Sequence, residues 1–91
     1  MINQEEFKII SHSLGVNTDV YSGVKELPKE YFRNHFQADK EHDCWQDLIH
    51  LEETGLMSKR KQFSQTVFHV TKEGQSQFEL FFSIFVRENN Q

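Results

Sequence analysis

The stretch LEETGLMSKRKQFSQTVFHVTKEG, Leu51 to Gly74, places an apolar helix end, a triplet of bases and a Thr-led helix start within two dozen residues of a 91-residue chain. Gly55 closes the helix before it. LMSKRK (56–61) and TVFHV (66–70) carry enough β-branched and aromatic content to pair as two short strands, which predicts a hairpin. Their connection, QFSQ (62–65), lacks the Asn-Gly signature of a tight two-residue turn, which predicts a longer, more mobile tip. Thr71 then reads as an N-cap with Glu73 in the first turn of a final helix.

That final helix runs through Phe78, Phe81, Phe82 and Phe85 at i, i+3, i+4 and i+7. ELFFSIFV (79–86) taken alone also suits a buried strand, but the Thr cap and the helical spacing decide for helix. Leu80, Ile84 and Val86 lie outside the Phe stripe, so the helix is apolar over more than half its circumference and calls for two partners. One is its own domain. The other is expected to be a second copy of the chain, with Phe78, Leu80, Phe81, Phe82, Ile84 and Phe85 as the homodimer interface.

Upstream of the hairpin, DKEHDCWQDLIHLEETG (39–55) clusters acids near a helix N-terminus, where the helix dipole favours them, and follows with Cys44, Trp45, Leu48, Ile49 and Leu51 as a wide apolar stripe. A helix over about 41–54 is predicted. PKEYFRNHF (28–36) has two open readings, a two-turn helix burying Phe32 and Phe36 on one side or a strand. Residues 15–28 hold turn-formers and read as an irregular connection. The first helix is expected at 4–14, with Asn3 as N-cap, Glu6 completing a capping box, Phe7, Ile10 and Leu14 at helical spacing and Gly15 at the C′ position. The fold class is thus α+β, mainly helical, with three to four helices and a two-stranded wing in a single domain over 1–91.

The order of helix, LxxLEETGLM, basic hairpin, VTKEG and helix resembles the back half of winged helix-turn-helix domains of the MarR and PadR type. Leu51, Gly55 and Leu56 match the end of the recognition helix in those families, and Val70, Thr71, Glu73 and Gly74 match the turn that begins a helix often used for dimerisation. The resemblance covers roughly residues 42–86 and implies a winged-helix-like fold. The front half departs from the pattern, because 28–43 leaves room for only a short second helix and no clear tight turn. SLG, YFRNHF and VFHVTKEG together also look like a group of small phage and prophage proteins of no assigned activity.

Charge then separates the function classes. The net charge is −4, but residues 37–54 set six acids against Lys40 alone, while residues 55–72 hold Lys59, Arg60, Lys61 and Lys72 and no acid. Lys59, Arg60, Lys61 and Lys72 are the candidate nucleic-acid contacts, holding phosphates from the wing. The helix that would enter a groove carries Glu41, Asp43, Asp47, Glu52 and Glu53, each of which repels a phosphate by on the order of 1 kcal/mol at contact even when partly screened. A protein partner or a second copy is therefore the expected companion, and a DNA-binding regulator the alternative. Gln46 and His50 are the side chains placed to reach base edges.

His35, His42, Cys44 and His50 lack the pair spacings zinc prefers, and no metal or other cofactor is expected. Ser11, His12 and Ser13 are adjacent without a nucleophile elbow, and the four glycines form no phosphate loop, so the chain is read as a non-enzyme. The single cysteine precludes an internal disulfide, and no basic, apolar and small-residue leader opens the sequence; a cytoplasmic location is expected. The longest apolar run, 78–86, falls short of the roughly 20 residues of a membrane span. With nine Phe and a size that buries only about 60–65% of the unfolded surface, the chain has the means for one core and a use for further burial by association.

Overall fold

The computed structural model describes residues 2–16 and 27–87, with side chains through Ile84. Helix α1 spans Gln4–Leu14. Its capping box is complete: the Glu6 backbone N–H donates to Asn3 Oδ1 at 2.8 Å, and the Asn3 N–H donates to Glu6 Oε1 at 3.0 Å. At the other end Gly15 adopts φ 71°, a left-handed turn that costs glycine little, and the Val16 N–H folds back to the Ser11 carbonyl at 3.0 Å. Phe7, Ile10 and Leu14 are buried, as their spacing requires.

The segment 27–35 is neither of the elements expected for 28–36. It runs as bends, and Phe32, expected to be buried beside Phe36, is 82% exposed. The reason is that its polar groups are committed to distant partners. The His35 N–H donates to the Ser13 carbonyl at 3.0 Å, and the Asn34 side chain bonds the backbone of Val70. A helix would withdraw those groups. Strand β1, Phe36–Ala38, follows and pairs antiparallel with a strand thirty residues downstream, a third strand the sequence pattern does not announce.

Helix α2 spans Trp45–Glu53, so its start is four residues later than the expected 41. Residues 39–44 instead satisfy their N–H groups in local turns: Glu41 donates to Asp39 Oδ1 at 3.0 Å, and Cys44 donates to His42 Nδ1 at 3.0 Å. Short polar side chains that capture nearby N–H groups compete with the helix ladder in this way. Leu48 and Leu51 are buried, and the Trp45 ring meets Phe68 edge-on at 5.7 Å between centroids.

Strands β2 (Met57–Gln62) and β3 (Gln65–Val70) form the expected hairpin, but the tip is a tight two-residue connection rather than a long one. Phe63 makes it possible by adopting φ 57°, a conformation that glycine or asparagine fills more cheaply. The sheet order is β1-β3-β2, all antiparallel. Helix α3 (Lys72–Phe81) follows, with Thr71 Oγ1 accepting from the Gly74 N–H at 3.1 Å, and widens into π-type turns over Phe82–Arg87.

The described residues form a compact α+β globule of three helices and a three-stranded antiparallel sheet. Its core joins Phe7, Ile10 and Leu14 of α1, Leu48 and Leu51 of α2, Phe68 and Val70 of β3, and Phe78 and Phe81 of α3. Phe7 stacks on both Phe78, at 4.9 Å, and Phe81, at 4.5 Å. Among the described residues no helix is long and apolar enough to cross a membrane.

Candidate interaction surface

Side chains alternate across a strand, and that alternation governs the basic triplet. Lys59 lies opposite Phe68 and Lys61 opposite Thr66, so both emerge on the core side of the sheet at its β2 margin. Arg60 lies opposite Val67 and emerges on the other face. The three bases, all exposed, therefore do not form one positive face. Lys59 Nζ also sits 3.8 Å from Glu52 Oε2 of α2, with both side chains partly exposed. Arg60, Lys61 and Lys72 form no ion pair among the described residues; Lys72 stands apart, in the first turn of α3.

The acids near this margin differ from the expected single helix face. Asp47, Glu52 and Glu53 belong to α2, whereas Glu41 and Asp43 lie in the turn before it, exposed. Gln46 and His50 are exposed on α2. His50 Nε2 lies 3.9 Å from Glu6 Oε2, a contact within the chain that draws the ring toward α1. Glu52 of α2 thus borders the hairpin and interrupts the positive field at Lys59.

The residues expected at a dimer interface separate into three groups. Phe78, Phe81 and Phe82 are buried inside the chain itself and belong to its own core. The physical reason is a second intramolecular partner for α3. Tyr31, from the bent segment 27–35, meets Phe78 edge-on at 6.3 Å and donates its hydroxyl to Glu79 Oε1 at 2.8 Å, while Phe7 of α1 stacks from the other side. Leu80 is 44% exposed and Ile84 half-buried; these two remain available to a partner. The side chain of Phe85, and residues 17–26 of the expected irregular connection, lie outside the described residues.

Burial, then the hydrogen bond to Glu79 and that residue's charge, raise the Tyr31 pKa well above its ordinary value. Burial first, and then Asp47, Asp43 and Glu5, push the Cys44 thiol up. His42 and Cys44, expected on different faces of a helix, are instead in the turn preceding α2, where the ring nitrogen accepts from the Cys44 N–H. Among the described residues no three His, Cys, Asp or Glu side chains are grouped to hold a metal ion.

Two features of the hairpin are not read from the sequence. Phe63 at its tip is 94% exposed, and β2 lies at the outside of the sheet with Ser58–Gln62 exposed throughout. A lone Phe between polar residues in QFSQ is the only signal for the first; the second depends on β1 taking the other side of β3. Comparison with known proteins adds nothing to this geometry, since no family model, curated protein or solved structure matches the chain.

Proposed function

We propose that this chain is a small, winged-helix-like, non-catalytic protein of phage or prophage type that works in the cytoplasm by contact with other proteins, including a second copy of itself. The observation that carries the reading is the division of the basic triplet. With Lys59 and Lys61 on one face, Arg60 on the other and Glu52 beside Lys59, the hairpin lacks the continuous cationic surface that phosphate contacts along a duplex need. At the same time Phe63, Phe32 and Leu80 are exposed apolar side chains of the kind that protein contacts bury. The winged-helix part of the proposal is supported by the junction in which Thr71 Oγ1 donates to the Gly55 carbonyl at 2.7 Å and the Thr71 N–H to the Leu56 carbonyl at 3.1 Å, binding the residues that carry the resemblance into one unit. Self-association is supported by Leu80, exposed on the last helix, and by half-buried Ile84 beyond it.

A titration against duplex DNA at several salt concentrations tests this reading. Absence of binding at low salt is the expected result; binding that weakens steeply as salt rises would establish the alternative, a DNA-binding regulator in which the exposed wing residues Lys59, Arg60 and Lys61 hold phosphates. Light scattering after size-exclusion chromatography tests the homodimer, and a strict monomer at tens of micromolar would remove it from the proposal.

A further inference from the structure

We propose that the outer edge of β2 accepts an extended acidic segment of another protein as a fourth, antiparallel strand opposite Lys59 and Lys61; the inference rests on the protein-contact reading and names the chemistry of the partner. Among the described residues the edge is open by topology, because β3 is central and β1 occupies its other side. Which backbone groups face outward follows from parity. In an antiparallel pair alternate residues bond to the partner strand and the residues between them point away. Val70 lies opposite Met57, yet its N–H and C=O are bonded to the Asn34 side chain on the β1 side, at 2.7 and 2.9 Å. Met57 is therefore not bonded to β3, and by alternation neither are Lys59 and Lys61. The Thr71 N–H bond to the Leu56 carbonyl at 3.1 Å gives the same parity independently. The N–H and C=O groups of Lys59 and Lys61 are thus directed out of the sheet, and the strand around them is exposed.

Charge selects the occupant. A second copy pairing edge to edge would set bases 59–61 against the same bases, the arrangement by which edge lysines block self-pairing. An acidic strand meets opposite charge at Lys59 and Lys61, beside the Glu52 carboxylate that contacts Lys59. Residues facing Lys59 and Lys61 in hydrogen-bonded pairs fall two apart on the incoming strand, on the same face as the two ammonium groups, so carboxylates at alternate positions fit. The Lys59 contact with Glu52, at 3.8 Å and partly exposed, is weak enough to be exchanged. Main-chain hydrogen bonds supply affinity and the alternate carboxylates supply selectivity, as in other cases of strand addition.

Fluorescence anisotropy with a labelled nine-residue peptide alternating glutamate and threonine tests this at low salt. Glutamates opposite Lys59 and Lys61 direct their own N–H groups at β2, and the threonines direct theirs away. Binding at micromolar to sub-millimolar peptide is expected; N-methylation of the glutamate nitrogens should weaken it at least tenfold, and N-methylation of the threonine nitrogens by no more than about threefold. Lys61→Pro, which removes an outward N–H and a charge without removing a bond to β3, should weaken binding about tenfold; if circular dichroism shows that this variant does not fold, Lys61→Glu replaces it with the same expectation. Equal binding of the two methylated peptides would overturn strand addition in favour of plain charge attraction, and silence of the parent peptide to about 1 mM would overturn the proposal outright. That silence together with no DNA binding leaves the protein-contact reading standing, whereas salt-sensitive DNA binding removes the reading itself.

Discussion

The side-chain amide of Asn34 stands in for a strand backbone against Val70, accepting its N–H at 2.7 Å and donating to its carbonyl at 2.9 Å. β1 begins only at Phe36, so without this amide the end of β3 would present two unpaired groups in a partly buried place. Asn34→Ala should lower stability by about 1–3 kcal/mol, the usual cost of leaving such groups unsatisfied. Asn34→Asp keeps the acceptor but turns an oxygen toward the Val70 carbonyl, and should be no better than Ala near neutral pH. Urea unfolding of the two variants beside the parent protein measures both.

Gly74 sits where the first turn of α3 crosses the backbone of Leu56, just before β2, and a Cβ there would collide with the Leu56 carbonyl oxygen and crowd Val70 Cγ1 at 2.8 Å. Backbone cannot step aside as a side chain can. Gly74→Ala should therefore destabilise by about 1–3 kcal/mol as an overpacked site, against the roughly 1 kcal/mol gain alanine gives in an open helix. Ser76→Ala, two residues on and exposed, is the control and should be neutral or slightly stabilising. A shift in the urea midpoint of Gly74→Ala to higher denaturant would contradict the close crossing.

At the hairpin tip Phe63 holds φ 57° with its ring in water. Neither feature benefits the folded chain by itself. Phe63→Asn should raise stability by about 0.5–1.5 kcal/mol, because asparagine occupies the left-handed region at lower cost. Thermal unfolding gives the answer. A loss of stability on this substitution would mean that the ring packs against the chain after all.

The like charges on β2 should guard it against its own copies. Replacing Lys59 and Lys61 together by Thr leaves a β-prone margin with outward N–H groups and Arg60 as its one remaining charge, and concentration-dependent association should appear by light scattering where the parent chain shows less. The same double variant should lose binding to the glutamate-threonine peptide, so gain of self-pairing and loss of the acidic strand go together.

Alkaline stability should report Tyr31. Its pKa is raised in the folded chain, so the folded state keeps the phenol proton after the unfolded chain has released it. Stability is then fully present below the ordinary tyrosine value of 10.0 and falls as pH climbs from there toward the raised one. Tyr31→Phe removes the hydroxyl and should flatten this decline, at the expense of the bond to Glu79. Unfolding measured at about pH 9 and pH 11 for both proteins checks the sign, with ordinary pKa values as reference.

The helices and the hairpin are legible in the sequence because their signals are local. Asn3 and Glu6, Gly15, the Leu48 and Leu51 pair, and Thr71 each act within one or two turns, and their elements appear there, α2 with a start four residues later than expected. What is not legible depends on distant partners. β1 is three residues long, too short for a pattern, and exists because Phe36 finds Phe68. The segment 27–35 carries apolar residues at helical spacing, yet Asn34 and His35 bond to Val70 and Ser13, and those bonds outweigh the spacing. The surface follows the same division. The basic triplet is evident in the sequence, but its split between faces, and the open margin beside it, depend on register and strand order.

β1 also has a meaning for the order in which the molecule assembles. Helix α2, the hairpin and helix α3 are contiguous and can find each other through short loops, whereas Phe36–Ala38 must return across thirty residues to reach β3. Closing that larger loop costs chain entropy before any contact is gained, so the strand should dock late, as a latch on a unit already shaped. Until it does, both flanks of the nascent sheet are open, and only the flank carrying Lys59, Arg60 and Lys61 has charges to turn strangers away. The hazard in folding lies on the side that the finished structure conceals.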